Sequence, residues 1–145
     1  MTDRLILSKD LLDQVISHCK SVYPNEACGL LAGNRNIAEK IYRITNIEKS
    51  GVSYMMDPDE QFRVMKEMRK NGHEMVAIYH SHPHSQAYPS PVDISLAFYP
   101  DPVYLIAGFT NQDRPEVRAF RILEGDVREV RIEPSVDARV QDELK

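Results

Sequence analysis

The chain has 145 residues, 42% of them hydrophobic and 28% charged, which excludes a disordered chain and allows one domain with a buried core. Its 18 basic and 22 acidic side chains leave a net charge of −4, which argues against nucleic acid as the main partner because phosphate contacts need clustered lysine and arginine. No apolar run approaches the roughly 20 residues that span a bilayer, and Cys19 and Cys28 cannot form a disulfide framework, so we expect a cytoplasmic protein without membrane contact.

A helix and a hairpin are predicted at the start of the chain. Apolar residues recur at steps of three and four between Ser8, a capping residue, and Pro24, which predicts a helix over about 9–22. The short apolar run 27–32 and the β-forming residues of 37–47 flank a Gly-Asn turn signal. This pattern predicts two antiparallel strands.

A second helix and a buried strand are predicted next. Asp57 can cap the helix, Pro58 suits its first position, and Asn71-Gly72 is a typical stop. The apolar run 75–79 then predicts a buried strand that leads directly into a group of histidines. A proline-rich loop over 83–91 follows that group.

A third helix and three more strands complete the predicted domain. Ser90-Pro91 begins a helix that carries apolar residues up to Phe98 and ends before Pro100. Helices interspersed among six strands predict an α/β (α+β) fold, with a single mixed sheet flanked by helices. The last three predicted strands cover 103–109, 116–123 and 127–132, the domain covers 1–134, and a polar tail covers 135–145.

Three of the five histidines fall within five residues, directly after the predicted buried strand. Side chains two apart on a strand face the same way, so His80 and His82 can bind one divalent metal. A catalytic zinc site needs a third protein ligand and one position for water, and Asp93 in the first turn of the third helix is the leading candidate. By spacing alone, Ser90 and Asp93 also fit an ordinary helix cap.

The combined pattern resembles the JAMM metalloprotease family, also called the MPN-plus domain. The family pattern is an upstream glutamate, then His-Ser/Thr-His, seven residues, serine, two residues and aspartate. The segment 23–33 around the glutamate also resembles stand-alone bacterial members. The resemblance implies the MPN fold, a cytidine-deaminase-like sandwich. The residues that match the pattern are Glu26, His80-Ser81-His82, Ser90 and Asp93.

The resemblance implies a role for each matching residue. His80, His82 and Asp93 correspond to the ligands of one zinc ion per chain, with water in the fourth position. Glu26 corresponds to the general base, which deprotonates that water and passes the proton to the leaving amine. Ser90 corresponds to the serine that hydrogen-bonds the oxyanion. An ordinary surface salt bridge is the alternative for Glu26.

The resemblance also implies a substrate class and a partner. Family members hydrolyse amide or isopeptide bonds after the diglycine tail of ubiquitin-like proteins, and short bacterial members act on β-grasp sulfur carriers. The segments 79–82 and 87–90 most resemble hydrolases that release cysteine from a sulfur-carrier–cysteine adduct. A Gly-Gly tail suits such a site because only glycine lets an extended backbone pass through a narrow channel.

Three other functions compete with this one. A deconjugase or precursor processor would cut longer extensions or lysine isopeptides after Gly-Gly. A non-catalytic scaffold would resemble the metal-free branch of the family, although that branch lacks the ligand set found here. A cysteine hydrolase would use Cys28 with a histidine.

The remaining histidines are expected to lie outside the metal site. Pro83 removes a ladder donor and ends the strand, so His84 is expected in the loop rather than as a fourth ligand. His18 and His73 lie in a helix and at a helix end, where a solvated role is expected.

Overall fold

Residues 4–135 are described by the computed structural model, and they form seven strands and three helices. The predicted tail at 135–145 lies outside these residues except for its first position. The elements in chain order are β1 (Arg4–Ile6), α1 (Lys9–Val22), β2 (Cys28–Asn34), β3 (Ile37–Ile44), α2 (Pro58–Lys70), β4 (Glu74–His82), α3 (Pro91–Ser95), β5 (Val103–Gly108), β6 (Glu116–Leu123) and β7 (Asp126–Glu133).

The strands form one mixed sheet in the order β1-β3-β2-β4-β5-β6-β7, and it closes on itself because β1 also pairs with β7. Strand β1 runs parallel to both of its neighbours, β4 runs parallel to β5, and the other pairs are antiparallel. The predicted α+β class with a mixed sheet flanked by helices is confirmed. Strand β1 was not predicted, and its three residues are too few to show an alternating pattern.

Two of the three helices begin and end as predicted. The Ser8 hydroxyl accepts a hydrogen bond from the Leu11 amide at 3.2 Å, and the Asp57 carboxylate caps α2 in the same way. The prediction for α3 was wrong at its C-terminal end, because the helix stops at Ser95. Phe98 was expected inside that helix, but it lies after the last turn and is 74% exposed. Because its side chain makes no contact with the core formed by the described residues, no packing favours a longer helix.

The core lies on both faces of the sheet. Val15 and Cys19 of α1 pack on one face with Tyr79, and Met68 of α2 packs on the other with Ile78. Because neighbouring residues of β4 alternate between the two faces, His80 follows Ile78 towards the α2 side. None of the helices in the described part of the chain is long and apolar enough to cross a membrane.

Candidate metal centre and active site

The two histidines of the candidate site project from the end of β4. This strand lies between β2 and β5, and the alignment with β5 continues to its last residue, where His82 lies opposite Gly108. His80 and His82 are both buried, and their Nε2 atoms lie 3.1 Å apart. The pairing on both sides gives the two imidazoles a rigid support, which a metal site requires.

Asp93 enters the site from the first turn of α3. Its Oδ2 atom lies 2.9 Å from His82 Nε2 and 3.2 Å from His80 Nε2. The same oxygen accepts a hydrogen bond from the Ser90 amide at 2.9 Å, and the Ser90 hydroxyl accepts one from the Asp93 amide at 3.0 Å. The capping box therefore orients the carboxylate towards the histidines, so the capping and ligand functions of Asp93 are compatible.

The three donor atoms fit a zinc ion. Their mutual distances of 2.9, 3.1 and 3.2 Å are close to the roughly 3.3 Å that separates the ligands of tetrahedral zinc with bonds of about 2.0–2.1 Å. His82 Nδ1 lies 2.9 Å from the Gln86 carbonyl oxygen. A carbonyl can only accept, so Nδ1 carries a proton, and Nε2 is the atom of this ring that would bind a metal.

Two of the three candidate ligands, His80 and Asp93, have protonation states that suit a metal site. Burial lowers the pKa of His80 below its ordinary value, which keeps the imidazole neutral at pH 7. Burial opposes the charged form of Asp93, but hydrogen bonds with both histidines outweigh it and hold the pKa of Asp93 well below its usual range. Zinc binds neutral imidazoles and an ionised carboxylate. Burial lowers the pKa of His82, but its hydrogen bonds with Asp93 and with the Gln86 carbonyl outweigh burial and raise that pKa, so zinc binding at this ring competes with a proton.

Glu26 lies just before β2, next to the metal-ligand group. Cys28 lies opposite His80 in the antiparallel β2–β4 pair, so continuing the alignment brings Glu26 opposite His82. Only 5% of Glu26 is exposed, and its Oε1 atom is buried without a hydrogen-bond partner. The alternative of a surface salt bridge is therefore wrong.

The pKa of Glu26 is well placed for proton transfer. Burial raises the pKa to about 7, with opposing charge effects from His82, which lowers it, and Asp93, which raises it. A carboxyl group with a pKa near the operating pH can both accept a proton and return it. The backbone beside it is held by the Ser50 carbonyl, which accepts from the Glu26 amide at 2.7 Å, and by the Asn46 side chain.

Comparison with known proteins identifies the family. Residues 8–123 match the model described as prokaryotic homologs of the JAB domain. The chain belongs to this family. The expected JAMM family is thereby confirmed, and this prokaryotic JAB protein is a JAMM-type metallopeptidase with a candidate His-His-Asp metal site.

Two relatives are similar over most of their length. The chain is 37% identical over 127 residues to the CysO-cysteine peptidase of Mycobacterium tuberculosis strain H37Rv, covering 86% of this chain and 87% of that protein. It is 35% identical over 122 residues to the probable TtuB-protein conjugate cleaving protease of Thermus thermophilus, covering 83% of this chain and 78% of that protein.

Solved structures share the fold. The solution structure of a Desulfitobacterium hafniense protein superposes with a TM-score of 0.81 at 38% identity, covering 88% of this chain and 90% of that chain. A structure described as a JAMM metalloprotease-like zinc site in the proteasome and signalosome superposes with a TM-score of 0.56 and covers 88% and 96%. At 18% identity, that second likeness shows the fold alone.

Within residues 4–135, the Ser90 hydroxyl donates to no acceptor, and it lies beside the carboxylate of Asp93. Its oxygen accepts the hydrogen bond of the helix cap, so the hydroxyl proton is available to another acceptor. The predicted function as an oxyanion donor stays a prediction, and this geometry is compatible with it.

Two of the three remaining histidines have environments that differ from the predicted ones. The prediction that His18 is solvated was wrong, because the ring is buried and its Nδ1 lies 2.6 Å from the Tyr79 hydroxyl. His73 was also expected in solvent, but it lies half-buried with Nε2 3.0 Å from a Glu39 oxygen. His84 lies exposed in the loop as expected, outside the metal-ligand group.

Cys28 does not have the properties of a catalytic nucleophile. The thiol is fully buried and contacts the Ile44 carbonyl at 3.5 Å. Burial raises the pKa of Cys28 to about 12, with the Glu26 charge adding to the effect. A reactive cysteine needs a lowered pKa and some exposure, so the cysteine-hydrolase alternative has no structural support.

A largely apolar cleft of about 480 Å³ leads to His80 and Asp93. One wall comes from the segment between β3 and α2, where the Tyr54 ring stacks on the His80 imidazole at a centroid distance of 4.8 Å. Nothing in the sequence indicated this contact, because Tyr54 lies in an irregular segment. Other apolar side chains of the cleft are Val52, Met56, Ile78, Leu96 and Tyr104.

Proposed function

We propose that the protein is a zinc-dependent hydrolase that cleaves the peptide bond after the C-terminal Gly-Gly of a ubiquitin-like (β-grasp) sulfur carrier and releases cysteine. The observation that carries this proposal is the convergence of His80, His82 and Asp93 within 3.2 Å of one another, next to a buried carboxyl group and at the end of an apolar cleft. The complete ligand set argues against a non-catalytic scaffold.

Each residue of the site has a separate task in the proposed reaction. His80, His82 and Asp93 would bind one zinc ion per chain, which would supply a Lewis acid that polarises the scissile carbonyl and acidifies a water molecule. Glu26 would take a proton from that water at its unpartnered Oε1 atom and return it to the leaving amine. The Ser90 hydroxyl would donate a hydrogen bond to the charge that develops on the carbonyl oxygen.

The walls of the cleft are compatible with a diglycine tail as the substrate. The Tyr54 ring covers one face of the His80 imidazole, so a substrate would reach His80 and Asp93 past that ring. Glycine has no side chain, so it would let an extended backbone come closest to the candidate metal site. The apolar remainder of the cleft would hold residues further from the scissile bond, and those contacts would position the tail for reaction.

The similarity to the Mycobacterium tuberculosis peptidase supports cysteine as the group released, because that relative is named as acting on CysO-cysteine. The Thermus thermophilus relative is named as cleaving TtuB-protein conjugates and supports the second candidate, a deconjugase for ubiquitin-like proteins. A cytoplasmic location stays part of the proposal. Two free, buried cysteines are consistent with a reducing compartment.

Mass spectrometry of carrier proteins tests the proposal directly. The zinc-loaded protein is incubated with a β-grasp carrier ending in Gly-Gly-Cys and, separately, with the same carrier joined through Gly-Gly to a lysine side chain. We expect loss of the terminal cysteine alone, and much slower cleavage of a free short peptide with the same ending. Preferential cleavage of the lysine conjugate would favour the deconjugase instead.

The Glu26→Ala variant is the matched control for this experiment. Because the ligand group is left intact, the variant should bind zinc and fold as the wild type does. Its turnover should fall by about 10²–10⁴-fold, which is the usual contribution of a general base. Wild-type turnover in this variant would rule out the proposed mechanism.

A further inference from the structure

The backbone of residues 85–87 lies directly against Gly108, the last residue of β5. A Cβ atom built on Gly108 would lie 2.5 Å from the Ala87 nitrogen, 2.7 Å from the Gln86 carbonyl carbon and 2.9 Å from the Ser85 carbonyl oxygen. All three are backbone atoms, which cannot rotate away as the end of a flexible side chain can. Only glycine at position 108 therefore allows this segment to lie where it does.

The segment held by Gly108 fixes the ring of His82. The Gln86 carbonyl oxygen lies 2.9 Å from His82 Nδ1, and the next residue, Ala87, is fully buried in the core. Gly108 lies opposite His82 in the β4–β5 pair, and the neighbouring Phe109 amide donates to the His82 carbonyl oxygen at 3.0 Å. Residues next to Gly108 therefore hold both parts of His82: Gln86 contacts the ring, and Phe109 contacts the backbone.

We infer that Gly108 is a positioning residue for metal binding: it admits the Gln86 carbonyl to the distance at which it fixes the tautomer and direction of the His82 imidazole. The inference rests on the metal site of the proposed function, but not on the substrate. A methyl group at position 108 would push the segment 85–87 outward by several tenths of an ångström or more, because it would meet three backbone atoms at once. The Gln86 carbonyl would then move away from Nδ1.

Loss of such a supporting hydrogen bond typically weakens metal binding by about 10–100-fold. Without the Gln86 carbonyl the ring can also rotate, which would turn Nε2 away from the position where it faces His80 and Asp93. The Gly108→Ala variant should therefore bind zinc more weakly, although it changes no ligand and adds no charge.

The experiment compares Gly108→Ala with Gly125→Ala, a glycine in the β6–β7 turn with a φ of +85° and open space where a Cβ would lie. Zinc affinity is measured by competition with a chelator, and stability is measured by thermal unfolding. The His82 tautomer is determined by nitrogen-15 NMR of the metal-free protein. Gly125→Ala should lose stability through backbone strain but keep wild-type zinc affinity and tautomer. Gly108→Ala should lose about 10–100-fold in affinity and the uniform Nδ1–H signal of His82.

A third variant keeps the test decisive if Gly108→Ala does not fold. Ala87→Gly removes the buried methyl that anchors the segment and introduces no clash, so it should weaken zinc binding in the same direction by a smaller factor. Wild-type zinc affinity and an unchanged Nδ1–H signal in the folded variants would overturn the inference. If the wild type itself binds no zinc, the proposed function fails, while the NMR comparison of the metal-free proteins still tests the role of Gly108.

Discussion

Replacing Ser81 with alanine tests how the segment that carries the candidate general base is joined to the strand that carries the two histidines. The Ser81 hydroxyl accepts a hydrogen bond from the Ala27 amide at 2.8 Å, and the Ser81 amide donates to the Ala27 carbonyl at 3.1 Å. Both residues are almost completely buried. A side chain thus continues the β2–β4 pairing beyond its last aligned residues and holds Glu26 beside His82.

The expected cost of Ser81→Ala follows from this arrangement. The substitution leaves the Ala27 amide buried without its acceptor, which costs about 1–3 kcal/mol of unfolding free energy. For a chain of this size, that loss lowers the melting temperature by about 3–10 °C. Glu26 immediately precedes Ala27 in the chain, so a displacement of Glu26 should also reduce turnover, by up to about 10²-fold for a shift of about 1 Å.

Thermal unfolding and steady-state kinetics measure the two effects. Ser95→Ala is the matched control, because its exposed hydroxyl donates to the Val92 carbonyl and its loss should change stability by less than about 0.5 kcal/mol. Ser81→Thr keeps the hydroxyl and should recover much of the turnover. If Ser81→Ala melts within about 1 °C of the wild type and turns over at the wild-type rate, the reasoning from the buried amide is wrong.

Three further predictions concern single residues. His82→Ala should lose bound zinc in metal analysis of the purified protein, and equal zinc in variant and wild type would exclude His82 as a ligand. Ser90→Ala should lower turnover by about 10²–10³-fold if the hydroxyl is an oxyanion donor, and stability by about 1 kcal/mol through the lost cap; full activity in kinetic assays would leave only the cap. Burial, with the Arg43 charge, lowers the pKa of His18 to about 4, so the folded protein binds fewer protons than the unfolded chain between about pH 6.5 and 4. Urea unfolding should therefore show stability falling by up to about 3 kcal/mol as the pH drops through that range, and His18→Gln should reduce this loss; an identical pH dependence in the variant would contradict the assignment.

The helix boundaries and the metal-ligand group could be predicted because their causes are local. Ser8 and Asp57 cap the helices that follow them within three residues, and the alternation of a strand brings His80 and His82 to one face. Asp93 was predictable for the same reason, since the capping box that orients its carboxylate lies within four consecutive residues.

The prediction for α3 extended too far because apolar spacing does not show whether a side chain reaches the core. Phe98 continues the apolar pattern of the helix, yet it lies exposed after the last turn. The three residues of β1 form a strand because β3 and β7 pair with them from both sides. Neither outcome is visible from residues close in the chain.

The sequence by itself determined the family, the ligand types and their spacing, because the chemistry of a zinc site requires particular side chains at particular separations. Only the tertiary structure decided the environment of those side chains. The burial that raises the pKa of Glu26 and the carbonyl that fixes the ring of His82 both come from the way distant segments pack together. So does the buried contact between His18 and Tyr79, which are 61 residues apart in the chain. Such environments depend on contacts between residues far apart in sequence, and local patterns carry no record of those contacts.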